Sequence, residues 1–302
     1  MFDYGKAVCY SGYREGQSPI RHVYPTYEEI SEDLLILDKY FDYIRLYDGS
    51  QHAQTVLKVI KDHNLKLKVM LGVEPGGEIS NPNCPWGGLH TEEEIEFNKV
   101  NNYKKLDHIA ALANEFKDQV LAVSVGNECT SDWHPGLMDP LTVAKHVKYV
   151  KSLISHPVTF CEGAYYWMTK GKPIAEEVDF ISIHSYPLWQ KVNIDKALQM
   201  NIKDFEDNLR TYPNKDIIFT EFGWATMSNE QMDSTQTNEE NQKEYLNQVE
   251  KWAEENKITM FIFEAFDEPW KGSTNPIEPE KHWGILNVNR SPKKWFSSKL
   301  KK

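Results

Sequence analysis

The chain has 302 residues, of which 40% are hydrophobic and 12% aromatic, and its formal net charge is −11. This acidic balance disfavours nucleic acids and anionic membranes as partners, because both favour basic patches. No apolar run approaches the roughly 20 residues that a membrane-spanning helix needs, so the sequence predicts no membrane span.

Strand-like and helical stretches alternate from one end of the chain to the other. The strand-like runs are rich in Val, Ile and Phe, which is typical of parallel strands that helices cover on both faces. Capping-box spacing of hydroxyl and carboxylate residues predicts helix starts at Thr26–Glu29, Thr91–Glu94 and Thr237–Glu240. The eight predicted strands are Lys6–Tyr10, Tyr43–Tyr47, Lys66–Gly72, Val120–Val125, Val158–Cys161, Asp179–His184, Ile217–Thr220 and Thr259–Phe263.

Eight strand–helix units without a break in composition predict an α/β fold, a single (β/α)₈ TIM barrel over residues 1–302. An open doubly wound sheet is the alternative. It is disfavoured because no glycine-rich phosphate turn follows the first strand. In a closed barrel the strand ends all open onto one face, where we expect the functional residues.

Two glutamates stand where predicted strands end. Glu128 follows the run Val120–Asn127, and Glu221 follows the run Asp216–Thr220. A carboxylate next to a core strand is costly unless it has a partner or a chemical role. Either residue alone could simply end its strand or cap the next helix. Together, at equivalent positions of two β/α units, they predict an acid/base pair that faces one cleft.

Other acids and many aromatic residues occupy the same predicted face. Glu74, Glu162, Glu264 and Asp267 also follow predicted strands, and His184 ends the sixth. Acids with exposed aromatic rings fit an uncharged, polyhydroxylated ligand, since sugar C–H faces stack on aromatic rings. The aromatic residues of the adjoining loops are Tyr13, Trp86, Trp133, Tyr165, Tyr166, Trp167, Trp189, Trp270 and Trp283.

Several other chemistries lack their motifs in this chain. The histidines form no HExxH or His-x-His pattern, and Cys9, Cys84, Cys129 and Cys161 are too widely spaced for a zinc or redox site. We therefore expect no metal and no cofactor. No Gly-x-Ser-x-Gly elbow provides an acyl-transfer serine. Two carboxylates acting on a glycosidic bond remain.

The motifs around these acids resemble glycoside hydrolase family 17, the β-1,3-glucanases of the (β/α)₈ retaining glycosidase clan. The resemblance covers essentially the whole chain, and its aromatic-rich opening loop is closer to bacterial members than to plant members. Ala225 departs from the family, which often has proline there. The segments that carry the resemblance are Ile44–Asp48, Val125–Glu128, Thr220–Trp224, Phe266–Lys271 and Glu280–Ile285.

The resemblance implies a retaining endo-β-1,3-glucanase that hydrolyses laminarin-like β-1,3-glucan. Glu221 would be the nucleophile and Glu128 the acid/base. The expected separation of their carboxyl groups is about 5–5.5 Å. By the same resemblance, Glu268, Lys271 and Glu280 would surround the acid and tune it.

Four further residues are predicted to contact the substrate. We expect Asn127 to bind the 2-hydroxyl of the reacting sugar, where the contact strengthens in the transition state. Tyr47, Tyr186 and Trp224 are predicted to contact the same sugar or to orient Glu221. The alternative for Trp224 is a packing residue at the barrel mouth.

Several alternatives share the same motifs. A β-1,3-glucanosyltransferase or a mixed-linkage β-1,3/1,4-glucanase would use the same carboxylates, and a non-catalytic glucan-binding protein is a further reading. We expect a monomer, although the sequence contains no direct signal of the oligomeric state. The first predicted strand leaves no room for a signal peptide. The chain is therefore either intracellular or a trimmed mature form; we expect a secreted, periplasmic or cell-surface protein.

Overall fold

Eight parallel strands close into one barrel within residues 2–300, which the computed structural model describes. Each strand pairs with the next along the chain, and β1 pairs with β8 to close the ring. The strands are β1 Ala7–Cys9, β2 Tyr43–Arg45, β3 Lys68–Val73, β4 Val120–Asn127, β5 Val158–Gly163, β6 Ile181–His184, β7 Ile217–Phe222 and β8 Met260–Ile262. The predicted (β/α)₈ barrel is confirmed; residues 1, 301 and 302 of the predicted domain lie outside the described range.

Helices follow the strands and cover the outside of the barrel. Between β5 and β6 two short helices replace a single long one. The helices are α1 Tyr27–Leu37, α2 Gln51–Asp62, α3 Glu92–Glu115, α4 Pro140–Leu153, α5 Ala164–Lys170, α6 Lys172–Glu177, α7 Ile194–Thr211, α8 Glu239–Asn256 and α9 Lys294–Leu300. Among residues 2–300, none combines the length and the apolarity needed to cross a bilayer.

Two of the three predicted capping boxes are confirmed. Thr26 and Thr91 each accept a hydrogen bond from the backbone three residues on, and the glutamate there reaches back to the cap. The third box is wrong: Asn238, not Thr237, caps α8, because its side chain accepts from Asn241 N at 2.9 Å. Both residue types are good caps, so the spacing alone did not decide between neighbours.

Four strands end later than predicted: β3 extends by one residue to Val73, and the extension of the other three changes which elements carry the site. Strands β4, β5 and β7 continue through Asn127, Gly163 and Phe222. Glu221 therefore lies inside β7, paired with His184 of β6, and not in the loop that follows. Since strands are more rigid than loops, this placement fixes the predicted nucleophile to the barrel wall.

Candidate active site

The chain turns sharply out of β4 just where the predicted acid stands. Gly126 has φ 110° and Glu128 has φ 53°, and the pairing of β4 with β5 shifts register between Ser124 and Asn127. Glu128 N still donates to Cys161 O at 2.8 Å. A left-handed backbone is unfavourable for a side chain like that of glutamate, and such conformations concentrate at functional sites. The turn presents the Glu128 side chain at the barrel mouth.

Three hydrogen-bond donors hold the carboxylate of Glu221. Arg45 Nη1 lies 2.5 Å from Oε1, and the hydroxyl of Tyr47 donates to the same oxygen at 3.0 Å. The hydroxyl of Tyr186 donates to Oε2 at 2.7 Å. Arg45 is itself 1% exposed, so its charge acts at short range with little screening. These contacts favour the ionised carboxylate.

His184 lies between the two glutamates. Its Nδ1 is 2.8 Å from Oε1 of Glu128 and 3.5 Å from Oε2 of Glu221. Burial alone would lower the pKa of His184, but the charges of Glu221 and Glu128 raise it to about 10. Burial would conversely raise the pKa of Glu221, but the charges of His184 and Arg45 hold it well below its usual value. The positively charged imidazolium of His184 therefore keeps the carboxylate of Glu221 ionised.

The two glutamates have the spacing and the unequal surroundings of an acid/nucleophile pair. One oxygen of Glu128 and one of Glu221 lie within 4.8 Å of each other, together with a ring nitrogen of His184. This upper limit lies just below the separation of about 5–5.5 Å in retaining glycosidases and well below the 6.5–9.5 Å of inverting ones. Glu221 has two phenol donors and a guanidinium, whereas Glu128 has His184.

The same three side chains offer ligand atoms to a metal ion. Around Glu221, however, Arg45 Nη1 and the hydroxyls of Tyr47 and Tyr186 already occupy the carboxylate oxygens. A cation there would also face the buried guanidinium charge. The donor set fits carboxylate chemistry better than metal binding, and the expectation of no metal stays a prediction.

Asn127 precedes Glu128 in the chain and shares the Arg45 guanidinium with Glu221. Its Oδ1 accepts a hydrogen bond from Arg45 Nη2 at 2.5 Å, so the amide oxygen is already bonded within the protein. The amide nitrogen is then the atom available to a ligand, and it makes no hydrogen bond within residues 2–300. A donor here suits the predicted contact with a sugar hydroxyl. That role stays a prediction.

The predicted tuning residues form a partly buried charge cluster with a fourth member, Glu264. Lys271 Nζ contacts Glu268 and lies 3.1 Å from Oε2 of Glu264. Burial, and then the charge of Glu268, raises the pKa of Glu264 well above its usual value. Glu280 lies close enough to Glu221 and Glu128 for both charges to add to the effect of burial, which raises its own pKa. The structure thus brings the set together beside the catalytic pair.

Another buried carboxylate, that of Glu162 near the end of β5, holds the loop that carries Glu128. It accepts from Thr130 N at 3.1 Å, from Thr130 Oγ1 at 2.6 Å and from Ser131 Oγ at 2.8 Å. A further bond comes from Gly163 N at 2.7 Å. Burial, and then the charge of Glu128, raises the pKa of Glu162 to about 7.

The structure places Trp224 differently from the prediction of a substrate contact. The side chain is fully buried, and its indole nitrogen donates to Gln236 O at 2.9 Å. Its ring packs against Tyr245 of α8 with centroids 5.1 Å apart. Side chains alternate in direction along an extended segment, and Trp224 follows Glu221 by three residues. Its side chain therefore points away from the cleft that Glu221 faces. These contacts favour the packing alternative over a contact with the substrate.

Sequence reasoning assigned no role to Arg45, Glu162 or Glu264. The signal for Arg45 was a charge within the apolar run Tyr43–Tyr47, which is costly without a partner. The signal for the two glutamates was their position at strand ends. His184 was predicted either to touch the site or to be structural, and it touches both catalytic candidates.

A closed barrel with two unequally surrounded carboxylates at the ends of β4 and β7 is the site of a glycoside hydrolase. The chain matches the family profile of the BtgE/BtgC glycoside hydrolase domain over residues 7–284 and belongs to this family. The predicted resemblance to the β-1,3-glucanases is confirmed by the relatives of the chain.

Among curated proteins, the chain is 24% identical over 300 residues to the probable glucan endo-1,3-beta-glucosidase btgC of Aspergillus fumigatus. That match covers 89% of this chain and 39% of the relative, so the chain spans about two fifths of the relative's length.

Two solved structures share the fold over almost the whole chain. An endo-laminarinase from Formosa Hel1_33_131 superposes with a TM-score of 0.84 at 23% identity, covering 98% of this chain and 86% of that one. A β-1,3-glucanosyltransferase from Rhizomucor miehei, an active-site mutant in complex with laminaritriose, superposes with a TM-score of 0.75 at 22% identity, covering 96% of each chain.

Proposed function

We propose that this chain is a retaining endo-β-1,3-glucanase that hydrolyses laminarin-like β-1,3-glucan. One observation carries the proposal: oxygens of Glu128 and Glu221 lie within 4.8 Å of each other. At that separation no water fits between a sugar and the second carboxylate, which therefore attacks the sugar directly. The linkage and the polymer come from the names of the relatives, an endo-1,3-beta-glucosidase and an endo-laminarinase.

In the first step, Glu221 attacks the anomeric carbon and forms a covalent glycosyl-enzyme. Glu128 gives its proton to the departing glycosidic oxygen, so the leaving chain departs as a neutral alcohol. The attack requires the ionised form of Glu221, which Arg45 and His184 stabilise. As the bond forms, the hydrogen bonds from Tyr47 and Tyr186 keep the carboxylate in position.

In the second step, Glu128 acts as the base. It takes a proton from a water molecule, which attacks the anomeric carbon from the side that the leaving chain vacated. Glu221 departs as a carboxylate, and the sugar keeps its original configuration. The Asn127 amide nitrogen is placed to hydrogen-bond the 2-hydroxyl through both steps.

The test is incubation of the purified chain with laminarin, following reducing ends, with Glu221→Gln as the paired control. We expect oligosaccharides from the unchanged chain alone, and proton NMR of the first products should show the β-anomer. An initial α-anomer would reject the retaining mechanism. Binding without release of reducing ends would favour a glucan-binding protein.

A β-1,3-glucanosyltransferase is the second candidate, since one structural neighbour carries that name at a TM-score of 0.75. The two activities share the first step and differ in whether water or a sugar hydroxyl receives the glycosyl group. Products longer than the starting material, at high laminari-oligosaccharide concentration, would identify transfer. Because a glucan polymer does not cross membranes, we also propose that the protein acts outside the cytoplasm; cell fractionation would test this.

A further inference from the structure

Two tryptophans lie side by side on neighbouring loops at the mouth of the barrel. Trp86 belongs to the loop between β3 and α3, and Trp133 to the loop between β4 and α4; their ring centroids are 6.1 Å apart. Trp86 is 65% exposed and Trp133 is 37% exposed. Tryptophan is highly buried on average, so an exposed pair of indoles indicates a surface that binds something.

The two loops are joined beneath the rings by one buried side chain. Asn81, 2% exposed, donates through Nδ2 to Asp132 O at 2.8 Å and to His134 O at 3.0 Å. Its backbone nitrogen donates to Gly88 O at 2.6 Å, which closes its own loop around the segment that carries Trp86. The indoles are thus held together before any ligand arrives, which lowers the entropic cost of binding.

One member of the pair, Trp133, is linked to the predicted acid through the β4–α4 loop. The Trp133 ring lies 5.6 Å from the ring of His134. Burial lowers the pKa of His134, and the charge of Glu128 is near enough to oppose that shift. Two turns link the residues along the chain, from Ser131 N to Glu128 O and from His134 N to Ser131 O, each 3.0 Å. Trp133 therefore stands on the same loop as the predicted acid, five residues after it.

We propose that Trp86 and Trp133 form a glucan-binding platform, which stacks a glucosyl unit of the polymer outside the catalytic centre. The C–H face of a β-glucosyl ring is apolar and complements the negative face of an indole. The charge of Glu128 reaches His134, the neighbour of Trp133, and so disfavours an acidic occupant while leaving a neutral sugar acceptable. This inference rests on the proposed function and deepens it.

The platform is tested by calorimetric titration of Glu221→Gln, which binds without turnover, using laminarin and laminaritriose as separate probes. Trp86→Ala and Trp133→Ala, each added to Glu221→Gln, should weaken laminarin binding by about threefold to tenfold, the size of one ring contact. The loss should be smaller for laminaritriose, which is short enough to occupy the catalytic subsites alone. Trp86→Tyr and Trp133→Tyr keep an aromatic face and should retain most of the affinity.

Leu209→Ala is the matched control, because Leu209 is an exposed apolar residue near the end of α7, at the opposite end of the barrel. It should leave the affinity for laminarin unchanged. Equal losses for both probes, or unchanged laminarin affinity in the alanine variants, would overturn the platform and leave the proposed function standing. Failure of Glu221→Gln itself to bind laminarin would overturn both.

Discussion

Arg45 Nη1 lies 2.5 Å from Oε1 of Glu221, and both side chains are buried at the floor of the barrel mouth. The second guanidinium nitrogen, Nη2, contacts Asn127. One cation from β2 therefore orients the proposed nucleophile and the residue before the proposed acid. A guanidinium makes both contacts at once because its donors are arranged in a planar fork.

Arg45→Lys should lower kcat/KM for laminarin by about 10²- to 10³-fold, as loss of one preorganised donor does elsewhere. An ammonium group is a single point donor and cannot reach both partners. Steady-state kinetics on laminarin measure the effect. Arg210→Lys, at an exposed ion pair on α7, is the control and should change nothing. A drop of less than threefold for Arg45→Lys would contradict the orienting role.

Glu221→Ala should lose activity by on the order of 10⁴-fold, because a nucleophile cannot be replaced by its neighbours. Sodium azide is small enough to enter the vacated space and attack the anomeric carbon directly. We expect azide to restore turnover of an activated aryl laminaribioside and to give the α-glycosyl azide, with one inversion. Formation of the β-glycosyl azide would assign the nucleophile elsewhere.

His184→Gln should move the acidic limb of the kcat/KM profile to higher pH. The charges of His184 and Arg45 lower the pKa of Glu221, so removing the imidazolium raises that pKa. Glu221 must be ionised to attack, and activity is then lost at a higher pH as the solution is acidified. A pH–rate series between 3 and 7 measures the shift. His146→Gln, on α4, should leave the limb in place.

Glu162→Gln should change how stability depends on pH. Burial raises the pKa of Glu162 to about 7 from its ordinary value of 4.5. The native state therefore binds more protons than the unfolded state in this range, and the contribution of Glu162 to stability, full below pH 4.5, is lost as pH rises towards 7. Thermal unfolding at pH 5 and pH 7.5 should show a smaller fall for the variant than for the unchanged chain.

The same variant should also lower kcat. The new amide nitrogen faces the hydroxyl and backbone donors of Thr130 and Ser131, and a mismatched buried donor costs about 1–3 kcal/mol. That cost loosens the turn that holds Glu128 at φ 53°. Unchanged kcat and an unchanged pH dependence of unfolding would together reject the anchoring role of Glu162.

Trp224→Phe should lower the free energy of unfolding by about 1–3 kcal/mol and leave KM for laminarin unchanged. The substitution removes buried volume and the hydrogen bond to Gln236 O. Urea unfolding and steady-state kinetics on one preparation measure both quantities. A raised KM with an unchanged free energy of unfolding would instead indicate that Trp224 contacts the substrate.

The fold was readable from the sequence because parallel strands buried on both faces differ strongly in composition from amphipathic helices. Glu128 and Glu221 were readable because carboxylates stand out at the ends of such strands. The orientation of Trp224 was not readable, since it depends on where β7 ends. The convergence of Arg45, His184 and Glu221 was not readable either, because it follows from closure of β2, β6 and β7 around one axis.

The partners of Glu221 all stand on the barrel wall or within two residues of it: Arg45 in β2, Tyr47 just beyond, His184 in β6 and Tyr186 just beyond. In contrast, Trp86, Trp133 and Asn81, whose hydrogen bonds join the two loops, all belong to loops. The proposed bond cleavage and the proposed polymer binding are therefore carried by different parts of the chain. Exchanging residues 74–91 together with residues 132–139 between relatives is a route to new glucan preferences that leaves Thr130, Ser131 and the charge state of Glu221 untouched.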